Sequence, residues 1–458
     1  MKNSGILLPV SALPARHGIG DFGNVSFEFV DWLRKRHFDY WQILPLNPLG
    51  PGNSPYLTTC SNAIDFRYIS LDELVKEGLL KKVPNYRQGT NKVRYEDIEK
   101  FKMPYLKAAF KKYSQGPQNG LKKFKTKNPW IVQYATYTLF SSLNNEKSWN
   151  NWPIAQRDYF LNHRTFPKKY VYEADFIVFL QYIAFKQWKR VLSYAHEKGI
   201  KIIGDIPFYV GFDSVDCWIN RKDFLLDENY NPRFVGGVPP DYFSKSGQRW
   251  GNPIYDFENM KKDGYSFLVD RIGYTKNLYD IVRLDHFRAF DTYYMIPSEY
   301  ADAKIGHWEF GPGREFFEIL LKQYPTIDII AEDLGYLSPG AYELRDAFSF
   351  PGMNVIQFTL FDPNFKDTGN LIVYSSTHDN ETLWSWYKNL KPSEKKKMSE
   401  ILGTKRNLFG ELKKYILNKP SKITIISMWD YLELGSQARF NTPGTIGSPN
   451  FEWKMRRM

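Results

Sequence analysis

Cysteine is scarce in this sequence, and its histidines do not cluster. The 458 residues include two cysteines, Cys60 and Cys217, which lie far apart and have no histidine at metal-ligand spacing near them. Neither a disulfide framework nor a zinc site is indicated, so both cysteines are expected to be buried residues of a protein in a reducing compartment. The seven histidines are scattered, and no metal ion or other cofactor is expected.

Long apolar runs are also missing. No segment approaches the length of a membrane-spanning helix. The amino-terminal stretch MKNSGILLPV has a short apolar core that Pro9 interrupts, which is too short for the hydrophobic region of a signal peptide. These features predict a cytoplasmic protein with no membrane partner.

The charge balance is basic, but the basic residues form no single motif. The 62 Lys and Arg residues outnumber the 50 Asp and Glu residues, which gives a net charge of +12. Such a balance is compatible with nucleic acid binding. The lysines, however, lie in separate runs at 122–127 and 395–397, which is typical of solvated helix faces and loops. We therefore expect no nucleic acid partner.

The motif RLDHFR at 283–288 places charged residues at the end of a buried strand. The preceding residues YDIV are largely apolar and read as a strand. Side chains alternate along a strand, so Arg283 and Asp285 are expected to share one face. A cation beside a carboxylate favours its ionised form, which is the form that a nucleophile requires. Asp285 is therefore a candidate nucleophile held ionised by Arg283.

Two further apolar runs end in the same way. The stretch IDIIAEDLG at 327–335 delivers Glu332 and Asp333, and LIVYSSTHDN at 371–380 delivers His378 and Asp379. A carboxylate at a strand end is often only a helix cap, and this alternative applies to each of these residues taken alone. Carboxylates at three strand ends nevertheless indicate one active site.

The order of elements predicts a parallel (β/α)8 barrel of the TIM type. Helical periodicity appears between many of the strand-like runs, for example at 174–198, where Gly199 follows. Strands alternating with helices indicate a parallel sheet, and functional groups at several strand ends favour a barrel over the alternative, a doubly wound sheet. The strand-like runs are 5–10, 40–46, 200–208, 279–287, 327–333, 354–360, 371–377 and 422–427.

Two connections are too long to be simple crossovers. They span residues 47–173 after the second strand and residues 209–262 after the third. We expect both to be inserted subdomains over the carboxyl-terminal mouth of a single catalytic barrel, where they form the substrate cleft.

Aromatic residues make up 17% of the chain, and some of them cluster in a polar segment. Residues 235–255 combine Gly and Pro with Tyr242, Phe243 and Trp250, and they are expected to form a surface loop with exposed rings. Flat rings beside polar groups such as Asp241 suit a ligand that has both apolar faces and hydroxyls. This combination indicates a sugar.

Taken together, the motifs resemble those of the amylomaltases, the 4-alpha-glucanotransferases related to the alpha-amylase superfamily. The resemblance spans almost the whole chain and keeps the motifs in order. They are GILLPVSALP (5–14), GIGDFG (18–23), WQILPLNPLGPGNSPY (41–56), GDIPFYV (204–210), GVPPDYFSKSGQRWGNP (237–253), RLDHFR (283–288), AEDLG (331–335), STHDN (376–380) and NTPGT (441–445).

The resemblance implies a catalytic role for three carboxylates. Asp285 corresponds to the nucleophile, Glu332 to the general acid and base, and Asp379 to the carboxylate that stabilises the transition state. Retaining glycosyl transfer needs one ionised and one protonated carboxyl about 5 to 5.5 Å apart. Burial and the neighbouring carboxylates are expected to raise the pKa of Glu332.

The same resemblance implies a surrounding set of sugar-binding residues. His286 and His378 are expected to donate hydrogen bonds to glucose, and Tyr56 to stack on the sugar beside the cleavage point. The remaining members are Asp205, Arg283, Asp241, Tyr242, Phe243, Trp250, Asn441 and Pro443.

The implied activity is transfer of alpha-1,4-glucan segments between maltooligosaccharides, amylose and glucose acceptors. Two alternatives stay open. The catalytic residues alone do not separate a transferase from an alpha-glucan hydrolase, because both share the glycosyl-enzyme step. A noncatalytic glucan-binding protein is the second alternative, although a decayed site is expected to lack at least one of Asp285, Glu332 and Asp379.

Overall fold

Eight parallel strands form the centre of the molecule. The computed structural model describes residues 3–86, 90–162, 166–240, 244–335, 337–365 and 369–458. Within these residues twelve strands are present: β1 (Ser4–Leu7), β2 (Tyr40–Gln42), β3 (Lys201–Ile206), β4 (Phe234–Val238), β5 (Gln248–Pro253), β6 (Ile281–Leu284), β7 (Thr292–Pro297), β8 (His307–Phe310), β9 (Asp328–Ala331), β10 (Gly352–Val355), β11 (Leu371–Tyr374) and β12 (Ile423–Ser427).

The parallel strands close into a barrel, which confirms the predicted fold. They are paired in the order β10, β11, β12, β1, β2, β3, β6 and β9. The ring closes where the Ala331 N–H of β9 donates a 2.9 Å hydrogen bond to the Pro351 carbonyl just before β10. Nearly every strand residue is buried, because helices cover the outer face and side chains fill the interior.

Helices follow most of the barrel strands. Those of the first half are α1 (Asn24–Lys35), α2 (Leu71–Lys76), α3 (Tyr95–Tyr113), α4 (Asn119–Lys127), α5 (Trp130–Leu143), α6 (Ile154–Arg157), α7 (Val171–Glu197) and α8 (Val215–Ile219). Those of the second half are α9 (Phe257–Lys261), α10 (Ser266–Tyr274), α11 (Gly313–Gln323), α12 (Pro339–Ala347), α13 (Ile356–Thr359), α14 (Leu383–Asn389), α15 (Pro392–Leu402), α16 (Leu408–Asn418) and α17 (Met428–Tyr431).

The long helix α7 shows how the sequence sets these boundaries. Its apolar residues Phe179, Ile183 and Trp188 are fully buried, and the Phe179 ring packs against Phe110 of α3. The helix ends at Glu197, and Gly199 then adopts a φ of +73°, a left-handed conformation that glycine reaches without strain. The chain can therefore turn at once into β3. No helix within the described ranges has the length and apolar character needed to cross a membrane.

The predicted strand at 354–360 is wrong in its second half. The strand β10 ends at Val355, and residues Ile356–Thr359 form the short helix α13. Ile356 and Leu360 are buried whereas Phe358 is 55% exposed. This spacing of four residues fits a helical turn and not the alternation of a strand.

A second, antiparallel sheet was not predicted from the sequence. Its strands are ordered β5, β4, β7 and β8. It includes residues 235–238 and 248–253 of the segment 235–255 that we expected to be a surface loop. The pairing of β4 with β7 joins residues that are distant in the chain, for example Val235 and Ile296. The local Gly and Pro content favours a loop, but the distant strand β7 supplies hydrogen-bond partners for the backbone of β4.

Candidate active site

Three charged residues meet at the carboxyl ends of two neighbouring strands. Asp205 of β3 and Arg283 of β6 are paired in register. One nitrogen of Arg283, Nη1, lies 2.9 Å from Asp205 Oδ1 and 3.0 Å from Asp285 Oδ1. The predicted contact between Arg283 and Asp285 therefore forms, but the arginine also serves a second carboxylate.

Several groups besides Arg283 act on the pKa of Asp285. Burial raises the pKa of Asp285 well above its usual range, while Arg283 lowers it and the carboxylates of Asp205, Glu332 and Asp379 raise it further. Arg283 lowers the pKa of Asp285, in the expected direction, but it acts against burial and three carboxylates. Asp285 titrates together with its acidic neighbours.

Glu332 is held beside Asp285 by the backbone of the β6 end. Its Oε2 accepts a 2.8 Å hydrogen bond from the His286 N–H, and its Oε1 accepts one of 3.1 Å from the Leu334 N–H. His286 has a φ of +51°, and this left-handed turn directs its N–H towards Glu332. Burial raises the pKa of Glu332, whereas Arg283 and the two N–H donors oppose the rise. The direction agrees with the sequence-based expectation.

Asp379 lies in the loop after β11, and Asn441 orients its carboxylate. Asn441 Nδ2 donates a 2.6 Å hydrogen bond to Asp379 Oδ1, and the Asn441 N–H donates to the His378 carbonyl at 2.9 Å. Arg439 Nη2 lies 3.2 Å from the Asp379 carbonyl. Asn441, which the resemblance assigned to sugar binding, is thus also a partner of Asp379. Arg439 was missed, although it lies only two residues before Asn441.

Tyr56 connects two opposite parts of the barrel mouth. Its hydroxyl donates to Asp205 Oδ2 at 2.7 Å and lies 2.8 Å from His378 Nε2, and its ring is nearly parallel to the imidazole at 5.4 Å. Because the single hydroxyl proton is used on Asp205, His378 Nε2 must carry a proton and donate to the tyrosine. Burial lowers the pKa of His378, with Asp379 opposing, so one nitrogen of the neutral ring is the donor.

Trp250 borders the site from the strand β5. Its ring lies edge-on to the His286 imidazole, with 4.9 Å between ring centroids, and its Nε1 donates to Gln248 Oε1 at 3.1 Å. The residue is half-buried, which corrects the expected exposed loop ring. Tyr209 was missed by the sequence reasoning despite its place in GDIPFYV. Its ring lies 6.4 Å from that of His286.

Some predicted residues cannot be assigned to the site from contacts. Asp241, Tyr242 and Phe243 lie outside the described residues. Pro443 is exposed two residues beyond Asn441, in the loop 441–449. That loop packs closely against the loop of Tyr56. A Cβ atom added at Gly52 would lie only 2.6 Å from Ile446 Cγ2.

The two cysteines and the His286 ring are neutral groups, and the described residues hold no metal-binding cluster. Cys60 and Cys217 are free and buried. Burial lowers the pKa of His286 to about 4, so its ring is neutral. In the described part of the chain, no group of three or more His, Cys, Asp and Glu side chains could hold a metal ion.

Comparison with known proteins points to one family. A family model described as 4-alpha-glucanotransferase matches residues 8–458. The chain is 37% identical to the 4-alpha-glucanotransferase of Aquifex aeolicus, over 100% of this chain and 96% of that protein. It is also 37% identical to the chloroplastic/amyloplastic 4-alpha-glucanotransferase of Arabidopsis thaliana, over 99% of this chain and 81% of that protein.

A solved structure shares the same architecture. The amylomaltase of Streptococcus agalactiae, determined in complex with acarbose, superposes with a TM-score of 0.94 at 32% sequence identity. The match covers 100% of this chain and 95% of that one.

Proposed function

The chain belongs to the 4-alpha-glucanotransferase family and transfers glycosyl groups between glucans, and we propose that it does so by double displacement at Asp285. In the first step an oxygen of Asp285 forms a bond to the anomeric carbon while the bond from that carbon to the glycosidic oxygen breaks. Glu332 gives its proton to the leaving oxygen. The product is a covalent glycosyl-enzyme, and the reducing end of the donor departs.

The second step reverses the first with a sugar as the acceptor. Glu332, now ionised, takes the proton from the 4-hydroxyl of a glucan or glucose, and that oxygen attacks the anomeric carbon. The bond to Asp285 breaks, and the carboxylate is restored. Two inversions at one carbon retain the alpha configuration.

The packing of β6 against β9 supports these roles. The backbone of His286, next to Asp285, holds Glu332 Oε2 at 2.8 Å, so the two carboxyls face one space. Burial raises the pKa of both carboxyls, and Arg283 lowers the pKa of both. The arginine bonds directly to Asp285 at 3.0 Å, whereas Glu332 is bonded to backbone N–H groups, so the ionised form is favoured by a direct ion pair at the nucleophile. A pair of carboxyls with separate environments is what this chemistry requires.

The remaining polar groups are suited to hold the reacting glucose. We assign Asp379 to stabilise the charge that develops on the sugar ring. Asn441 donates to its Oδ1, and its Oδ2 lies 3.3 Å from His378 Nε2. His378 and Asp205 would exchange their hydrogen bonds to Tyr56 for sugar hydroxyls, and His286 would donate from the opposite side. Maltooligosaccharides and amylose are the proposed donors, and glucose is the smallest proposed acceptor.

Maltotriose separates transfer from hydrolysis. We expect disproportionation to glucose and longer chains with an almost constant number of reducing ends, because a sugar acceptor replaces water in the second step. Glucose, chain lengths and total reducing ends are measured together. A rise in reducing ends that matches substrate loss would instead identify a hydrolase, and an absence of turnover would favour a glucan-binding protein.

Replacing Trp250 by alanine is expected to shift the balance from transfer towards hydrolysis. The ring lies against His286, where it can support an acceptor and limit the access of water to the glycosyl-enzyme. We expect transfer to fall about tenfold and the hydrolysis-to-transfer ratio to rise. The products from maltotriose report both quantities.

Trp308→Ala is a matched control for this change. Trp308 lies on β8, at the opposite edge of the same antiparallel sheet, and its ring packs under the Arg288 guanidinium at 3.5 Å. Its removal should leave the ratio unaltered. If Trp250→Ala also leaves the ratio unaltered, or only lowers the unfolding temperature, Trp250 is a packing residue.

We also propose that residues 47–173 and 209–262 are inserted subdomains over the barrel mouth. Each contributes a residue to the site. Tyr56 comes from the first and bonds to Asp205, and Trp250 comes from the second and packs on His286. The cleft would lie between them.

A cytoplasmic location is likewise proposed. Both cysteines are free thiols in the described structure, which suits a reducing compartment. The Arabidopsis relative is named as a chloroplastic/amyloplastic protein, so the location can differ within the family.

A further inference from the structure

A single buried carboxylate holds both ends of the loop that carries His378 and Asp379. We propose that this residue, Asp430, is a positioning residue that sets the place of Asp379 in the active site. The inference rests on the catalytic role proposed for Asp379. Asp430 itself bonds to two serines and a backbone N–H and acts on Asp379 only through the loop.

Asp430 lies in α17, directly after the last barrel strand, and is 0% exposed. Its Oδ2 accepts hydrogen bonds from Ser375 Oγ at 2.7 Å and Ser376 Oγ at 2.5 Å. Its Oδ1 accepts one of 2.7 Å from the Leu383 N–H. The two serines follow β11, and Leu383 begins α14. One carboxylate therefore joins the start and the end of the loop 377–382.

The directions of these hydrogen bonds require an acceptor at position 430. Ser375 Oγ already accepts from the Ser427 N–H at 3.1 Å, and Ser376 Oγ accepts from Trp429 Nε1 at 3.0 Å. Each hydroxyl has one proton, which is directed to Asp430. An amide in place of the carboxylate would present its NH2 group either to the two serines or to the Leu383 N–H. In the first orientation the protons of the two serine hydroxyls would lose their acceptor. In the second, the amide NH2 group and the Leu383 N–H, both donors, would face each other.

Hydrogen bonds within the loop 377–382 hold its residues together, so a displacement of its ends would displace the whole loop. Asn380 Oδ1 accepts from the Thr377 N–H at 2.9 Å and from Thr377 Oγ1 at 2.7 Å. The Asp379 N–H donates to Thr377 Oγ1 at 3.3 Å. A displacement of Ser376 or Leu383 would therefore move Asp379 with the loop. Errors of about 1 Å in the position of a reacting group can lower a rate by up to about 10²-fold.

The charge of Asp430 suits this accepting role. Burial raises its pKa to about 6, and the hydrogen bonds from Ser376, Leu383 and Ser375 limit the rise. The carboxylate is therefore ionised at neutral pH, where it has lone pairs for all three donors.

Asp430→Asn tests the inference when it is combined with Asp379→Asn. We expect Asp430→Asn to lower kcat/KM for transfer about tenfold or more, measured with alpha-maltosyl fluoride as donor and glucose as acceptor. In the Asp379→Asn background the same change should alter kcat/KM less than about twofold, because its effect passes through Asp379. A merely structural role would give the same factor in both backgrounds, and that result would overturn the inference.

Two further variants separate positioning from stability. Asp280→Asn is the matched control, because Asp280 Oδ2 also accepts a backbone N–H, that of Ile202 at 2.7 Å, but at the amino ends of the strands. It should change kcat/KM less than about twofold. If Asp430→Asn does not fold, Ser376→Ala removes one donor and should lower kcat/KM several-fold, again only where Asp379 is present.

Failure of the underlying function has a different signature. Full transfer activity in Asp379→Asn alone would refute the role proposed for Asp379. A large loss in Asp379→Asn together with wild-type activity in both Asp430→Asn and Ser376→Ala would refute only the positioning role.

Discussion

Replacing Asp285 by asparagine is expected to lower kcat/KM for transfer by about 10⁴-fold or more, because an amide cannot form the glycosyl ester. The fold should persist, since asparagine has a similar shape and its oxygen can still accept from Arg283 Nη1. Arg283 also keeps its contacts with Asp205 at 2.9 and 3.0 Å. Initial rates with maltotriose and the thermal unfolding midpoint measure the two properties separately.

Asp280→Asn is the control for this substitution. Asp280 immediately precedes β6 and Asp285 immediately follows it, so the same chemical change is made at the two ends of one strand. We expect the control to affect stability and not turnover. Transfer at the wild-type rate in Asp285→Asn would refute the assignment of the nucleophile.

The second large effect is expected for Glu332→Gln. The His286 and Leu334 N–H groups bond to different oxygens of Glu332, so glutamine, with one oxygen, can keep one of these hydrogen bonds in place. Its amide has no acidic proton to give to a leaving sugar. Transfer from maltotriose should fall by about 10³-fold or more. With alpha-maltosyl fluoride, whose fluoride departs without a proton, added azide should restore turnover and yield alpha-maltosyl azide. The matched variant Asp328→Asn, at the opposite end of β9, should need no such rescue.

The pH dependence identifies the same residue. Burial raises the pKa of Glu332 above the usual value of a glutamate. Glu332 therefore keeps the proton required for the first step to a higher pH, and loses it as the pH rises through the raised pKa. Wild-type kcat/KM should therefore fall on the basic side. The azide reaction of Glu332→Gln should lack this basic decline and keep the acidic decline caused by protonation of Asp285. A basic decline that persists in the variant would assign it to another group.

The barrel and its carboxylates could be predicted because they depend on local patterns. Buried parallel strands give continuous apolar runs, and the functional groups follow directly at their carboxyl ends, as at Asp285 and Glu332. The helix α7 was also predictable, since its apolar spacing and Gly199 lie in one stretch of sequence. The family resemblance joined these separate signals into one site.

Contacts between distant segments could not be predicted in the same way. Tyr56 meets His378 across 322 positions, and nothing near either residue specifies the hydroxyl bridge to Asp205. The sharing of Arg283 between Asp205 and Asp285 depends on the register of β3 against β6, which the sequence of one strand does not contain. The pairing of β4 with β7 likewise joins segments that are distant in the sequence. These are the features that determine charge and position in the site.

Isolation of the glycosyl-enzyme tests the central claim most directly. Glu332→Gln is incubated with alpha-maltosyl fluoride, quenched in acid and digested. The peptide masses are then measured by mass spectrometry. Without its base the variant should accumulate the intermediate, so the account predicts one maltosyl adduct on the peptide that contains Asp285 and none when Asp285→Asn is added. An adduct on the peptide of Asp205 or Asp379, or continued turnover with no adduct and a beta-configured product, would contradict it.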